Sequence, residues 1–239
     1  MVKIMKNNIC KNFLINSTKN CIYTLLSTLI MLNYGCVKEE LDEEPLLGNE
    51  VAKKTVVYSI QSGVHHSTPL ALERVSSVYN FKIRVTFTKI QYLILNPDKS
   101  ISNDQYDYNK LSGFSDCNNF DAYKGKGAMI GWRWNSVNNN IELVAYVHNK
   151  SDKSRKIKEF NLTAKEGEVW EFQISVDNYS NTYLYQALNL SNNESEMISM
   201  SDDYGRGCNG IPIEGRLISP WFGGNQVSPA DLKLTIEYL

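Results

Sequence analysis

The chain has 239 residues, 42% of them hydrophobic and 21% charged, enough apolar material to bury one sizeable core. Its formal charge is −1, with acidic and basic residues in near balance, which excludes the concentrated basic face that nucleic-acid binding needs. It carries no Ser-His-Asp spacing, phosphate loop or dinucleotide fingerprint, so the common nucleophilic and nucleotide chemistries have no sequence support.

Lys3, Lys6, Lys11 and Lys19 lead into an apolar run, Cys21 to Leu32, with no acidic residue among them. At 1.5 Å per residue this run is too short to cross a hydrocarbon core of roughly 30 Å. It reads as the hydrophobic region of a secretory signal ending at Gly35-Cys36. The stretch LNYGC resembles a bacterial lipobox, with Asn33 at the position usually held by an aliphatic residue. Lys38-Glu39-Glu40 looks like the Lys-acidic-acidic signal that sends Bacteroidetes lipoproteins to the outer cell surface. The expectation is a lipid-anchored Cys36; the competing reading is an ordinary thiol after a plain signal. More than one acyl chain would make such an anchor stable. Residues 1–35 are then the signal, and 36–54, charged and poor in aromatics, a flexible acidic tether. Loss of the signal leaves 21 basic and 26 acidic residues, a formal charge of −5.

Residues 55–239 read as a single all-β domain. Phe81 to Phe87 alternates cleanly, with Phe81, Ile83, Val85 and Phe87 on one face. Val169 to Val176 and Asp231 to Tyr238 do the same. Further candidates are Thr55 to Gln61, Ile90 to Leu95, Ala128 to Trp134, Ile141 to His148, Ile157 to Leu162, Thr182 to Leu188 and Met197 to Met200. Asn- and Asp-rich turns separate many of them, among them Asn96-Pro97-Asp98, NSVNNN (Asn135 to Asn140), DNYSN (Asp177 to Asn181) and Asn192-Asn193. The only hint of a helix is a possible turn at Pro69 to Arg74. About ten short strands predict an antiparallel two-sheet sandwich, jelly-roll-like, with a closed barrel as the alternative.

One hairpin has a definite register. With NSVNNN as the loop, Trp134 faces Ile141, Arg133 faces Glu142, Trp132 faces Leu143 and Ile130 faces Ala145. Trp134, Trp132, Ile130 and Ala128 then form one apolar face with Ile141, Leu143, Ala145 and Val147. The other face collects Arg133, Glu142, Val144, Tyr146 and His148. Arg133 offers a planar fork for a carboxylate, and Tyr146 and His148 could serve as base and acid in β-elimination on an acidic sugar. Polar residues on a solvated strand face are also the ordinary condition, so a merely solvated or structural role competes with a ligand or catalytic one.

His65-His66 are adjacent and would point to opposite sides of a strand, a poor chelate. Asp202-Asp203 and Asp116 to Asp121 offer oxygens without the spacing of a defined calcium loop. No metal and no cofactor is expected. Cys117 and Cys208 remain after the signal and anchor, and an exported compartment permits a disulfide between them or leaves them free. With four Trp, eight Phe and fourteen Tyr the domain is rich in rings that can stack on sugars. Trp132, Trp134 and Trp170 fall on apolar faces, but Trp221 lies in the Gly/Pro-rich stretch SPWFGG and is the candidate exposed aromatic contact. In the same stretch Gly223-Gly224 suits a positive φ or a close backbone approach.

LSGFSDC (Leu111 to Cys117), GWRW (Gly131 to Trp134) with IELVAYVHN (Ile141 to Asn149), and LISPWFGGNQVSPADLKLTI (Leu217 to Ile236) together carry a resemblance. They are similar to a group of Bacteroidetes surface lipoproteins with a β-sandwich domain, a Gly-Trp-Arg strand, an Ala-Tyr strand and a terminal Phe-Gly-Gly element. The likeness spans roughly residues 80–239. Trp221 stands where that group has tyrosine, and Val227 to Asp231 lacks the group's histidine. Asn118 to Gly127 lacks the His- and Ser-rich character found there in relatives. The resemblance implies a fold and an outer-membrane location, and no activity.

Three functions fit. The first is a non-enzymatic surface lipoprotein whose sandwich binds a glycan or another protein. The second is a polysaccharide lyase or hydrolase of acidic glycans using Arg133, Tyr146 and His148. The third is a structural accessory of an outer-membrane complex. The membrane is an expected partner through the anchor; nucleic acid is not.

Overall fold

A computed structural model describes residues 53–71, 74–76, 78–93, 107–115, 127–148, 155–177, 182–201, 214–224 and 226–239. Cys36, Lys38 to Glu40, the acidic tether up to residue 52, Cys117, Cys208 and both aspartate groups lie outside them.

The described residues form twelve strands. They are β1 (Lys54–Ile60), β2 (Arg74–Ser76), β3 (Asn80–Lys89), β4 (Asn109–Ser115), β5 (Gly127–Asn135) and β6 (Asn140–His148). Then follow β7 (Arg155–Ala164), β8 (Val169–Asp177), β9 (Thr182–Asn189), β10 (Ser195–Ser201), β11 (Glu214–Ile218) and β12 (Leu232–Tyr238). All pairings are antiparallel. The first sheet runs β1-β12-β3-β8-β9-β10 and the second β2-β11-β4-β5-β6-β7. Together they make the expected jelly-roll-like sandwich.

The core lies between the inner faces. Phe81, Ile83, Val85 and Phe87 on β3, Trp170, Phe172 and Ile174 on β8, and Leu234, Ile236 and Tyr238 on β12 meet Ala128, Ile130, Trp132 and Trp134 on β5 and Ile141, Leu143, Ala145 and Val147 on β6. The β5–β6 hairpin has the register expected from NSVNNN, from Gly127↔His148 through Arg133↔Glu142 to Asn135↔Asn140. Its turn closes because the Asn135 side-chain oxygen accepts the Val137 and Asn138 N–H groups, each at 3.0 Å, and Asn139 takes the left-handed backbone (φ 52°).

The outer face of the first sheet is polar. Arg84 bonds Glu237 at 2.9 Å and Glu171 at 3.4 Å, and Lys82 bonds Glu171 at 2.7 Å. Such exposed pairs contribute little to stability individually. At the sandwich edge β10 and β7 are unpaired on one side. The Glu196 carboxylate bridges them, accepting the Asn161 N–H at 2.6 Å, the Leu162 N–H at 3.3 Å and the Asn161 amide at 2.7 Å. An inward-turned charge of this kind blunts an edge against further pairing.

Three strands were not expected from the sequence: β2, β4 and β11. Conversely, Ile90 to Leu95 is not a strand in its described part, Ile90 to Leu93. The Ile90 and Gln91 N–H groups turn to the Glu166 carboxylate, at 2.5 and 3.1 Å, in place of a neighbouring strand. Leu93 is then left exposed. Of Pro69 to Arg74, where a helical turn was possible, Pro69 to Ala71 is irregular and Arg74 opens β2.

Candidate functional site

The polar side of the β5–β6 hairpin is the outer face of the second sheet. It is far less solvated than its composition suggested. Met129, Val144, Tyr146 and Ile218 are fully buried there and pack with Tyr108 and half-buried Ile157 into a second, smaller apolar cluster. Two neighbouring elements supply polar groups to it. Tyr108 and Lys110 come from the start of β4, and Arg155 and Glu159 from β7, opposite His148 and Val144.

Arg133 and Glu142 form the cross-strand pair that the hairpin register requires. Arg133 Nε donates to Glu142 Oε2 at 2.8 Å, and Arg133 Nη2 donates to the same oxygen. Glu142 Oε1 accepts from the Asn135 amide at 2.7 Å. The guanidinium lies 4.3 Å from the centre of the Tyr108 ring. Burial works against the Arg133 charge, but the Glu142 carboxylate outweighs it and keeps the pKa above the ordinary arginine value. Burial, reinforced by a hydrogen bond donated to Glu159, pushes the Tyr108 hydroxyl well up. The fork of Arg133 is therefore already occupied, and does not stand open for a substrate carboxylate.

Tyr146 and His148 do meet, with ring centres 5.0 Å apart. Tyr146 is fully buried, and its backbone carbonyl accepts from the Tyr185 hydroxyl of the first sheet at 2.9 Å. Desolvation pushes its own hydroxyl above the usual phenol range, with Arg155 opposing. No acceptor or donor reaches that hydroxyl in hydrogen-bond geometry among the described residues. A buried tyrosine with a raised pKa stays protonated at neutral pH, so it is poorly suited to the role of a base.

Lys110 is the residue that the sequence reading missed. It is 7% exposed, and its ammonium lies 5.2 Å from the centre of the Tyr146 ring. Burial lowers its pKa, Asp107 pulls it back up, and Arg155 adds to the lowering. Asp107 is itself engaged by Arg155 Nη1 at 2.6 Å. That engagement raises the Arg155 pKa in spite of the cost of burial. Lys110 can reach Tyr146 because the residue opposite it is Gly131. A Cβ at Gly131 would stand 2.6 Å from Val144 Cγ2 and 3.7 Å from the Tyr146 ring.

Trp221 joins the same face. Its N–H and C=O pair with the C=O and N–H of Lys110, at 3.0 and 2.9 Å, and a second bridge pairs it with His66. Directly paired residues of an antiparallel bridge project to one side of the sheet. One row therefore runs His66, Trp221, Lys110, Gly131, Val144, Glu159. Trp221 is half-buried, as the loop composition suggested, and the His65 ring stacks on it at 5.4 Å and 9°. His66 stands tilted at 6.4 Å. The two histidines serve as packing for the tryptophan, and no cluster of three or more metal-ligating side chains occurs among the described residues.

The loop carrying Trp221 is anchored on its other side. Phe222 is fully buried against Tyr92, its N–H bonds the His65 carbonyl at 2.8 Å, and the Gly223 N–H bonds Asn109 Oδ1 at 2.7 Å. Gly223 passes so close to Tyr108 that a Cβ would lie 2.3 Å from its carbonyl oxygen, and Gly224 has φ +76°. The two glycines thus do separate jobs, one a close approach and the other a left-handed turn.

Trp221 and the hairpin face, distant in sequence, are brought together by β4. A sequence signal for Arg155 and Glu159 was present, since at i, i+2 spacing they share a face with Ile157, Glu159 inside the expected strand Ile157 to Leu162 and Arg155 two residues ahead of it. No comparable signal marked Tyr108 or Lys110.

No family model and no curated protein matches the sequence. Among solved structures the chain is similar to alginate lyase vAL-1 from Chlorella virus, at 12% identity over 78% of this chain and 83% of that one, with TM-score 0.46. It is similar to an alginate lyase from Klebsiella pneumoniae at 8% identity, 67% and 57% coverage and TM-score 0.47. It is also similar to the winged bean acidic lectin in complex with methyl-α-D-galactose, at 15% identity, 79% and 92% coverage and TM-score 0.44. These are likenesses of backbone course at low identity.

Proposed function

We propose that the sandwich is a non-catalytic saccharide-binding module, displayed on the cell surface by a lipid at Cys36. The observation that carries this is the placement of Trp221. Trp221 is half-buried, and its backbone is clamped between His66 and Lys110 by two β-bridges, so it is pre-organised before any ligand arrives. A fixed aromatic face can stack on the C–H face of a sugar, and neighbouring polar groups can read its substituents. The same loop is pinned to the core through Phe222, which makes the platform rigid.

Catalysis by the hairpin face has less support. Arg133 is committed to Glu142, and the Tyr146 hydroxyl is buried and held protonated. These groups read better as a supporting layer beneath the platform. The lipid anchor and the outward orientation rest on LNYGC and Lys38-Glu39-Glu40 alone.

A glycan array probed with the purified protein tests the reading. Binding to at least one saccharide class is expected. Trp221→Ala should weaken it by tenfold or more, about 1.4 kcal/mol, within the range of a stacked aromatic contact. Silence of the wild-type protein across the array, or full binding by Trp221→Ala, contradicts it.

A further inference from the structure

We propose that Lys110 and Tyr146 form a seat for an oxyanion, so that the saccharide bound at Trp221 is an acidic one, carrying a carboxylate or sulfate. This inference rests on the saccharide-binding reading for the sugar ring, though not for the anion.

Two unusual groups touch each other on the outer face of the second sheet. Lys110 is 7% exposed, and among the described residues no hydrogen bond or ion pair satisfies its ammonium; its contact is the Tyr146 ring at 5.2 Å. Holding a lysine this deeply in the sheet face with no counter-ion for its ammonium is costly. The carboxylate electrostatically nearest to it, Asp107, is bonded to Arg155 at 2.6 Å. The second group is the Tyr146 hydroxyl, fully buried, with the Arg155 side chain beside it but no partner in hydrogen-bond geometry among the described residues. A buried polar group left unpaired beside a cation that lacks a counter-ion calls for one explanation.

A single oxyanion satisfies both. One oxygen faces the ammonium and gives it a counter-charge. The same oxygen or its neighbour accepts the phenol O–H. A neutral hydroxyl could pair with Tyr146 but would leave the Lys110 charge uncompensated. A cation would meet Lys110 and Arg155 together. The chemistry therefore selects an anion.

The distance to Trp221 fits a saccharide. Trp221 is paired directly with Lys110, and directly opposed residues have Cβ atoms roughly 4.5–5.5 Å apart. A sugar ring on the indole thus places its acidic substituent beside the ammonium. Gly131, which has no side chain, lets Val144 and the Tyr146 ring pack close beneath Lys110.

The test is calorimetric titration of the full chain in detergent. Three saccharides of equal length are compared: an oligouronate, a sulfated oligosaccharide and an uncharged one. Wild-type protein is expected to bind one acidic saccharide at least about tenfold more tightly than the uncharged one, as for a hydrogen-bonded charge. Whichever acidic arm binds identifies the anion as carboxylate or sulfate. Lys110→Met should abolish that preference and retain the weaker binding through Trp221. Tyr146→Phe, which removes one oxygen and keeps the ring, should reduce the preference severalfold and decides the matter if Lys110→Met does not fold. Equal binding of charged and uncharged saccharides by wild type, or an unchanged preference in both variants, overturns the oxyanion seat. If no saccharide binds, the saccharide reading itself fails. Sodium sulfate then decides the seat separately. A thermal midpoint raised by sulfate in wild type and not in Lys110→Met supports it, and equal shifts overturn it.

Discussion

Replacing Trp132 with alanine is expected to lower the unfolding free energy by about 3–5 kcal/mol, the range for truncating a large aromatic in a packed core. Trp132 is fully buried in the middle of β5. Its indole N–H has no hydrogen-bond partner among the described residues, so the loss is one of packing and cavity formation alone. The ring meets Tyr92 edge-on at 6.4 Å, and Tyr92 meets Phe222 edge-on at 5.4 Å. The vacated space is bordered by β-sheet backbone on one side, which collapses poorly. Urea unfolding followed by fluorescence measures the effect. A midpoint that falls with an unchanged slope is the expected result. A loss below about 1 kcal/mol would mean that the sandwich interior is looser than its burial implies. Because Phe222 precedes Gly223 and follows Trp221, the same variant should also weaken ligand binding, although Trp132 lies on the opposite side of the sheet.

Gly223→Ala should separate the platform from the fold. Its Cβ would stand 2.3 Å from the Tyr108 carbonyl oxygen and 2.9 Å from the carbonyl carbon. Both are backbone atoms, so no side chain can swing away. The loop has to lift from the start of β4, stretching the 2.7 Å bond from the Gly223 N–H to Asn109 and the bridge between Trp221 and Lys110. Overpacking of this kind costs roughly 1–3 kcal/mol. Saccharide affinity should fall by at least as much as in Trp221→Ala, while the circular-dichroism spectrum stays that of a β-sandwich. Wild-type affinity in Gly223→Ala would mean that the close approach at Tyr108 does not hold the platform.

Much of this architecture was legible in the chain. The β5–β6 hairpin could be registered residue by residue because one face is wholly apolar and NSVNNN supplies Asn at turn positions. The same alternation marked β3, β8 and β12, whose outer faces are solvated. It fails for β4, whose residues NKLSGFS are buried on both sides. A strand with no wet face has no reason to alternate, and the bulge between Lys110 and Ser112 breaks the period further. Losing β4 hid the centre of the second sheet and, with it, the neighbour of Trp221. Residues Ile90 to Leu93 misled for the opposite reason. They look strand-like, but Glu166, distant in sequence, takes the N–H groups that a strand partner would need.

The candidate site was legible in composition and not in depth. Arg133, Glu142, Tyr146 and His148 do share a face, as their alternation required. Their solvent exposure could not be read from β5 and β6, since Tyr108 and Lys110 pack onto them from β4. A row of polar residues that seemed to face water is instead an engaged, largely buried layer. The chemistry that remains open belongs to Lys110, a residue with no motif around it. The half-exposure of Trp221 followed from its Gly/Pro-rich loop. Its pairing with Lys110 is a non-local bridge that no local pattern announces.

The two sheet faces also differ in character. The outer face of the first sheet spends its charges on one another, through Lys82, Arg84, Glu171 and Glu237. Salt should screen those exposed pairs with little effect on stability. The corresponding face of the second sheet holds Lys110, a buried residue whose ammonium has no such pairing among the described residues. That asymmetry is the physical reason to look for a ligand on one side of the sandwich and not on the other.

The most direct measurement is a nuclear magnetic resonance titration of the ¹⁵N-labelled protein with a uronic-acid hexasaccharide. The indole N–H of Trp221 and the backbone amides of His66, Lys110 and Tyr146 should move first and furthest, tracing one patch on the outer face of the second sheet. Shifts confined to Arg84, Glu171 and Gln186 on the first sheet would contradict the account, as would an unmoved Trp221 indole at saturating ligand.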